Sequence, residues 1–409
     1  MTPARDSDGT SLRTLDDIDP AGKRVLMRAD LNVPFKGDRV LDVTRIARQA
    51  PTIRELAGKG AIVIVLSHLG RPQGTPVPDL SLRSVAPVLS RVSGGKVRFV
   101  ETDWSDDAPR RAVAEARPGD ILLMENTRFH PGEVENRPGF VKKLMELADL
   151  YVDDAFSTAH RCHASNEGIA HFLPAVAGRA MEAELKTLAR MLRCPKRPFV
   201  AVVGGAKIST KLDLLGALAR KVDKLIIGGG MANTFLAALG KPVGRSLCEH
   251  DLLTAAREIF DNAGDAIMLP EDVVVAQNFK PHAHHRTVDV DNINARERIL
   301  DIGPRSIAAI NECFSKARTL VWNGPFGAFE LPPFDRGTLM TARHAAMLSR
   351  SEQLCSVVGG GDTVCALNRA GVTDDFTYIS MAGGAFLQWL EEKPLPAVDV
   401  LKTATDHDR

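Results

Sequence analysis

Short β-branched and aliphatic runs alternate with amphipathic stretches along this 409-residue chain, a rhythm that predicts βαβ units and parallel sheets. In the first half the runs predict strands at 25–28, 61–67, 97–100, 121–124 and 150–153. In the second half they predict strands at 199–203, 224–227, 266–269, 319–321, 356–358 and 378–380. Two doubly wound α/β sheets follow. A chain this long exceeds what one hydrophobic core usually organises, so two domains are expected. Between the two sets, 179–193 (RAMEAELKTLARMLR) carries Leu185, Leu188 and Leu192 at helical spacing and stops at Cys194-Pro195, which predicts an interdomain helix.

The residues at the strand ends differ between the halves. In the second half they are glycine clusters: Gly204-Gly205-Ala206-Lys207, Gly228-Gly229-Gly230, Gly359-Gly360-Gly361-Asp362-Thr363 and Ala382-Gly383-Gly384. In the first half they carry Arg and His: Arg28 with Asp30 and Asn32, His68 with Arg71, Arg128 with His130, and His160 with Arg161. An α/β sheet binds ligands beyond the carboxyl ends of its strands. Backbone amides are therefore expected to gather a nucleotide's phosphates on one lobe, and cationic side chains a small anion on the other.

Net charge adds a constraint. With 52 basic and 51 acidic side chains the formal charge is +1, which gives no global pull toward nucleic acid or an anionic membrane. An anion site must be a local concentration of charge. The longest strongly apolar run, 61–66, is too short to span a bilayer. Residues 1–8 lack the basic start and apolar run of a secretory signal, so a cytoplasmic protein is expected. Six cysteines without CxxC spacing read as buried free thiols in a reducing compartment. The segment 281–286 (PHAHHR) reads as a solvated loop, since no carboxylate or Cys nearby completes a metal set with its histidines.

Known nucleotide motifs are absent. No GxxxxGK[ST], strict GxGxxG or protein-kinase HRD or DFG occurs. Lys207 and Lys211 are spaced i,i+4, so on a helix they would share a face and clamp a polyphosphate. Asp362 is a candidate partner for Mg²⁺, which takes one or two carboxylates beside phosphate oxygens, or a cap for the helix that follows. On the other lobe, Arg28, Arg45, Arg71, Arg128 and Arg161 suit a substrate bearing carboxylate and phosphate, because guanidinium binds both groups bidentately. Asp30 and Asn32 share a face of an extended segment, placed either to hold a substrate hydroxyl or for structural hydrogen bonding.

Eight segments, VLMRADLNVP (25–34), SHLGRP (67–72), ENTRFHPGE (125–133), DDAFSTAHRCHAS (153–165), VVGGAKISTK (202–211), GGGMANTFL (228–236), VWNGPFGAFE (321–330) and GGGDT (359–363), run in the order and approximate spacing of one family. Over nearly the whole chain the sequence resembles phosphoglycerate kinase. The resemblance implies two Rossmann-like doubly wound parallel-sheet domains joined by an interdomain helix and hinge. An N-terminal 3-phosphoglycerate-binding domain would span 1–178, with the C-terminal tail 395–409 packing back on it. The interdomain helix would be 179–194, and the nucleotide-binding domain 195–394.

Carried over by motif, the resemblance implies a 3-phosphoglycerate site at Asp30, Asn32, Arg45, His68, Arg71, Arg128, His160 and Arg161. The implied nucleotide site is Gly205, Lys207, Lys211, Gly229, Asn323, Gly327, Glu330, Gly360, Gly361, Asp362 and Thr363. Arg45, Lys211 and the backbone at Gly383 and Gly384 would act on the transferring phosphoryl group, with Mg²⁺ at Asp362. The implied activity is that of a phosphotransferase with a carboxyl group as acceptor, passing phosphate between 1,3-bisphosphoglycerate and MgADP. Its nucleophile in the ATP-consuming direction, a carboxylate, is ionised at neutral pH and needs no general base. Small molecules are the expected partners, with no nucleic acid and no membrane, and a monomer is expected.

The chain departs from the family pattern at Met381-Ala382, where Thr-Gly is usual, at Asp153 for Asn and at Ser157 for Gly. The Ala382 methyl is expected to restrict backbone approach to the phosphoryl group, and Asp153 to add negative charge near the substrate lobe. A non-catalytic or weakly active binding protein of the same fold is the alternative reading.

Overall fold

A computed structural model describes residues 12–37 and 39–402, with backbone alone at 191–193. The polar start 1–8, the tail beyond residue 402 and the side chain of Leu192 lie outside the described residues. The chain divides into two compact units. One runs to Lys186 and takes back the segment from Pro394, and the other is Thr187–Lys393.

The first unit is built on a six-stranded sheet. Its strands begin with β1 (Arg24–Arg28), after which a short hairpin, β2 (Phe35–Lys36) and β3 (Arg39–Val40), stands apart from the sheet. There follow β4 (Ile62–Leu66), β5 (Val97–Val100), β6 (Ile121–Met124), β7 (Leu150–Asp153) and β8 (Ala175–Ala177). The order is β5-β6-β4-β1-β7-β8, parallel throughout. Every residue of β4 and β6 is buried. Burial on both faces is why these strands read as unbroken apolar runs and not as alternating ones.

The second unit starts with β9 (Phe199–Val203), β10 (Lys224–Ile227) and β11 (Ile267–Met268). A separate antiparallel sheet, β12 (Asp272–Ala276), β13 (His285–Asp289) and β14 (Arg298–Ile302), interrupts it in the order β13-β12-β14. The chain then returns with β15 (Thr319–Asn323), β16 (Cys355–Gly359) and β17 (Tyr378–Ser380). The main sheet has the order β11-β10-β9-β15-β16-β17 and is parallel. Both units are thus doubly wound α/β sheets, as the alternation predicts. In the second, the order reverses between β9 and β15, and the crevice at such a switch point is where these sheets take ligands.

Two expectations need correction. The loop read through Arg286 ends earlier: His285 and Arg286 open β13, paired with Ala276 and Val275. The His285 ring meets Phe334 edge-on with centroids 5.7 Å apart, so one histidine of the run packs on the protein. The six cysteines are free, but none is buried; Cys162, Cys194 and Cys365 are exposed. Their apolar sequence neighbours belong to helix and loop positions whose burial does not extend to the thiol.

The helix Arg179–Arg193 forms over the span its leucine spacing marks, with Leu185 and Leu188 buried. Asp154 caps its start, its Oδ1 accepting from the amides of Ala180 at 2.8 Å and Met181 at 3.0 Å. Arg179 adds ion pairs to Asp16, Glu55 and Glu182. The later helix Pro396–Lys402 belongs to the first unit, where the Ala397 amide donates to Ala159 O at 3.1 Å.

Gly204 holds the switch point closed. Its amide donates to Asn323 O at 2.8 Å, and a Cβ there would lie 2.1 Å from Pro325 O and 2.7 Å from Gly324 C. Both obstacles are backbone, so they cannot swing aside. Gly204→Ala is expected to destabilise this unit by about 1–3 kcal/mol, as overpacking does. Calorimetric melting checks it; an unchanged melting temperature would refute the close approach.

Candidate active site

In the first unit the predicted cations gather at the carboxyl edge of the sheet. Arg28 closes β1; His68 and Arg71 follow β4; Arg128 lies in the 3₁₀ turn Thr127–Phe129 after β6; His160 and Arg161 follow β7. Arg28 is 1% exposed and has no carboxylate in ion-pair range among the described residues. Its Nη2 meets His68 Nδ1 at 2.9 Å and its Nε donates to Ser165 Oγ at 3.0 Å. Arg128 Nη1 donates to Gly70 O at 2.7 Å, while the Gly70 amide donates to Asn32 Oδ1 at 3.0 Å. Asp30 pairs with Arg45, the second residue of the helix Thr44–Gly58.

The electrostatics show how crowded this edge is. Burial, then the guanidiniums of Arg28 and Arg161, lower Arg128 to about 10. His163 is held down at about 3 by burial and then by Arg128, Arg28 and Arg161. Burial first and Arg28 second hold His68 well below its ordinary value, and burial then Arg161 lower His160. Arg161 is itself lowered by burial and then by Arg71. Like charges disfavour one another in this way when no counter-charge sits among them. The imidazoles are therefore neutral at pH 7, and the guanidiniums form an anion site.

His130 does something else. Its Nδ1 accepts from the Gly132 amide at 3.0 Å, and its ring stacks on Phe140 at 4.2 Å. Two residues that sequence reasoning passed over hold the arginines. Ser165 Oγ, the acceptor for Arg28, donates to Glu133 Oε1 at 2.6 Å, and the Ser165 amide donates to Glu133 Oε2 at 3.0 Å. Both lie inside quoted motifs, and nothing in their type marks them as supports.

In the second unit, an open cavity of about 420 Å³ is lined by Gly205, Gly229, Gly327, Glu330 and Asp362 from the predicted set, a size that fits a small-molecule site. Leu247, Phe279, Ile299 and Leu300 complete its wall. These apolar residues carry no sequence signal beyond hydrophobicity, yet Phe279 is 62% and Leu247 50% exposed. Asp362 stands in the first turn of the helix Gly361–Ala370, which follows β16 and the Gly360 cap.

The paired lysines do not share a helix face. Lys207 and Lys211 flank the 3₁₀ turn Ile208–Thr210, and the α-helix starts only at Leu212. Lys207 is exposed, whereas Lys211 turns inward. Its Nζ donates to Gly204 O at 2.7 Å and also contacts Asn323 Oδ1. Burial lowers Lys211 to about 8, against the attraction of the Asp362 carboxylate. Thr363 is fully buried; its hydroxyl accepts from the Gly324 amide at 2.7 Å and donates to Gly359 O at 3.0 Å. Asn323 Nδ2 donates to the same carbonyl at 2.9 Å. Asn323 and Thr363 thus tie the ends of β15 and β16 together. Ala382 is buried, and Gly383 beside it has φ +43° and open space where a Cβ would stand.

The phosphoglycerate kinase family model matches residues 15–393. The chain belongs to the phosphoglycerate kinase family. It is 58% identical to the phosphoglycerate kinase of Sinorhizobium fredii over 395 residues, 96% of this chain and 99% of that one. Identity to the Rhizobium meliloti phosphoglycerate kinase is also 58%, over 396 residues, with the same coverage of each chain. Among solved structures, phosphoglycerate kinase from Coxiella burnetii superimposes with a TM-score of 0.86 at 41% identity, covering 95% of this chain and 98% of that one. The enzyme from Pyrococcus horikoshii gives 0.82 at 32% identity, with the same coverage. The resemblance carried by the eight motifs is thereby established for the phosphoglycerate kinase fold as a whole.

Asp153, one of the departures from the family pattern, is fully buried below the cations. Its Oδ1 accepts from the Ala155 amide at 2.9 Å, and its Oδ2 has no hydrogen-bond partner. Burial pushes it from 3.8 up to about 6, against the pull of that amide and of Arg28. Between those pH values the native state holds a proton that the unfolded chain has lost. Stability therefore falls as pH rises from about 4 to about 6 and stays lowered above. Asp153→Asn removes this term, so its melting temperature relative to the parent protein is expected to improve from pH 4.5 to pH 8, by at most about 3 kcal/mol. Parallel melting curves at the two pH values check this; a difference independent of pH would show that Asp153 is not the titrating group.

Proposed function

We propose that the chain catalyses reversible transfer of the acyl phosphate of 1,3-bisphosphoglycerate to MgADP, giving 3-phosphoglycerate and MgATP. The observation that carries this reading is the cluster of guanidiniums in the first unit that lack carboxylate partners, in a chain of this family. Arg28 stays within that cluster as a buried support, and Arg71, Arg128 and Arg161 bind the carboxylate and phosphate of the three-carbon acid, with His68 and His160 as neutral hydrogen-bonding groups. Asp30 and Asn32 take its hydroxyl.

The nucleotide site we propose combines the glycine backbones at Gly205, Gly229, Gly327, Gly360 and Gly361 with Lys207 and Lys211, the acceptor Glu330, and Asn323 and Thr363 as the tie beneath them. Phosphates suit the glycines because no Cβ keeps the backbone away. Among the described residues no group of three or more His, Cys, Asp or Glu could hold a metal. Asp362, exposed beside the cavity, instead fits a Mg²⁺ that arrives with the nucleotide and takes one protein carboxylate. The ion would supply charge neutralisation on the phosphates.

The chain's own part in the chemistry is positioning and charge stabilisation. Arg45, Lys211 and the Gly383–Gly384 amides act on the phosphoryl group in flight. The acceptor in the ATP-consuming direction is a carboxylate, so no side chain has to remove a proton. Among the described residues no helix is long and apolar enough to cross a membrane; a cytoplasmic monomer acting on small molecules is part of the proposal.

A coupled assay with 3-phosphoglycerate and MgATP is expected to show turnover. Folded protein that binds both substrates and turns over neither would favour a binding protein of the same fold. Arg45→Ala is expected to lower kcat by a factor of about 10²–10³, the usual effect of losing one charge-stabilising donor, and to leave ADP affinity within about twofold. A comparable loss of ADP affinity would contradict the role given to Arg45. Lys211 is charged below about 8, so kcat/KM for the nucleotide should decline as pH rises through that value. In Lys211→Arg the decline should vanish, because guanidinium stays protonated; a decline that persists would assign the titration elsewhere.

A further inference from the structure

The cavity of the second unit contains one cation that the reading above leaves unused. Arg298 lines it, half-buried, and among the described residues its guanidinium has no ion pair or hydrogen bond. It opens β14 opposite Ala276 of β12. Alternation along the strand puts it on the same face as Leu300, which packs with Ala276, Ala283 and Phe334. Phe279, Ile299 and Leu300 make this side of the wall apolar, whereas Gly205 and Asp362 come from the loops after β9 and β16. A planar base suits the first side and a polyphosphate the second.

We infer that Arg298 reads the edge of the nucleotide base and admits 6-oxopurine nucleoside diphosphates as phosphoryl acceptors alongside ADP. A guanidinium can only donate hydrogen bonds. Guanine and hypoxanthine offer it two adjacent acceptors, O6 and N7, which match its fork; adenine offers N7 beside an amino group, a donor facing donors. The transfer itself is unchanged. The bond from the acyl oxygen to phosphorus breaks, a terminal β-phosphate oxygen of the diphosphate bonds to that phosphorus, and the released carboxylate keeps the electron pair. This inference rests on the kinase reading.

The test assays the full chain in the ATP-forming direction with ADP, GDP and IDP, before and after Arg298→Met, which keeps a long stem and removes the donors. GDP and IDP are expected to be used by the parent protein. The ratio of kcat/KM for GDP to that for ADP should fall about 10- to 100-fold in the variant, the discrimination typical of one bidentate base contact. IDP should follow GDP, since it shares the C6 carbonyl. No use of GDP by a protein that uses ADP overturns the inference, as does an equal loss on all three diphosphates, the mark of a phosphate contact. Failure with every nucleotide would sink the kinase reading instead. Calorimetric titration of GDP and ADP onto the same two proteins then decides the inference alone: a GDP preference lost in the variant supports it, and an unchanged ratio of affinities overturns it.

Discussion

The first unit depends on holding several guanidinium groups together with hydroxyls and carbonyls in place of carboxylates. Arg28 leans on Ser165, Ser165 leans on the buried Glu133, and Arg128 leans on Gly70 O. The one carboxylate in this chain of contacts is kept a hydroxyl away from the nearest arginine. Direct pairing would have neutralised the cations and removed their use. Leaving them under-compensated lowers Arg128 and the neighbouring imidazoles, a strain on the empty unit that a bound anion relieves. The motifs are long because they contain supports as well as contacts: Glu133 and Ser165 stand in them for the sake of Arg28.

The second unit solves the opposite problem, since phosphate must meet backbone. Its switch point brings Gly204 against Gly324 so closely that neither position has room for a side chain. Asn323 and Thr363 share the carbonyl of Gly359, which fixes the strand ends relative to each other. Lys211 fills its donors from the same knot, with Gly204 O and the Asn323 side chain as partners. Its ammonium is thus held by dipoles and by no carboxylate contact, free to exchange them for a phosphate at little electrostatic loss.

How far the sequence disclosed this arrangement follows from where each residue is buried. Ile121–Met124 and Phe199–Val203 are buried at every position, so their apolar runs mark strands directly. The sheet of β12 to β14 left no such mark. His285–Asp289 has one buried residue, and Arg298–Ile302 starts with a charge and contains Asp301. Ala175–Ala177 and the hairpin strands are too short for a pattern. At the sites, Arg, His and Gly at strand ends announced an anion and a phosphate. The apolar wall of the cavity did not announce itself, because Leu247, Phe279 and Leu300 look like core residues until the fold shows them facing open space. The lysine pair misled because i,i+4 spacing carries its meaning only on a continuous helix, and a 3₁₀ turn separates these two.

The return of the segment from Pro394 to the first unit sets an order of assembly during synthesis. Ribosomes add residues at roughly 5–20 per second, and units generally fold as they emerge, earliest first. Here the unit that begins to emerge first is finished last. The helix Pro396–Lys402, whose Ala397 amide reaches Ala159 O, is made only after all of Thr187–Lys393. For that interval the nascent first unit lacks the helix that covers the loop between Phe156 and Arg161, so its anion site matures after translation has passed through the whole of the other unit.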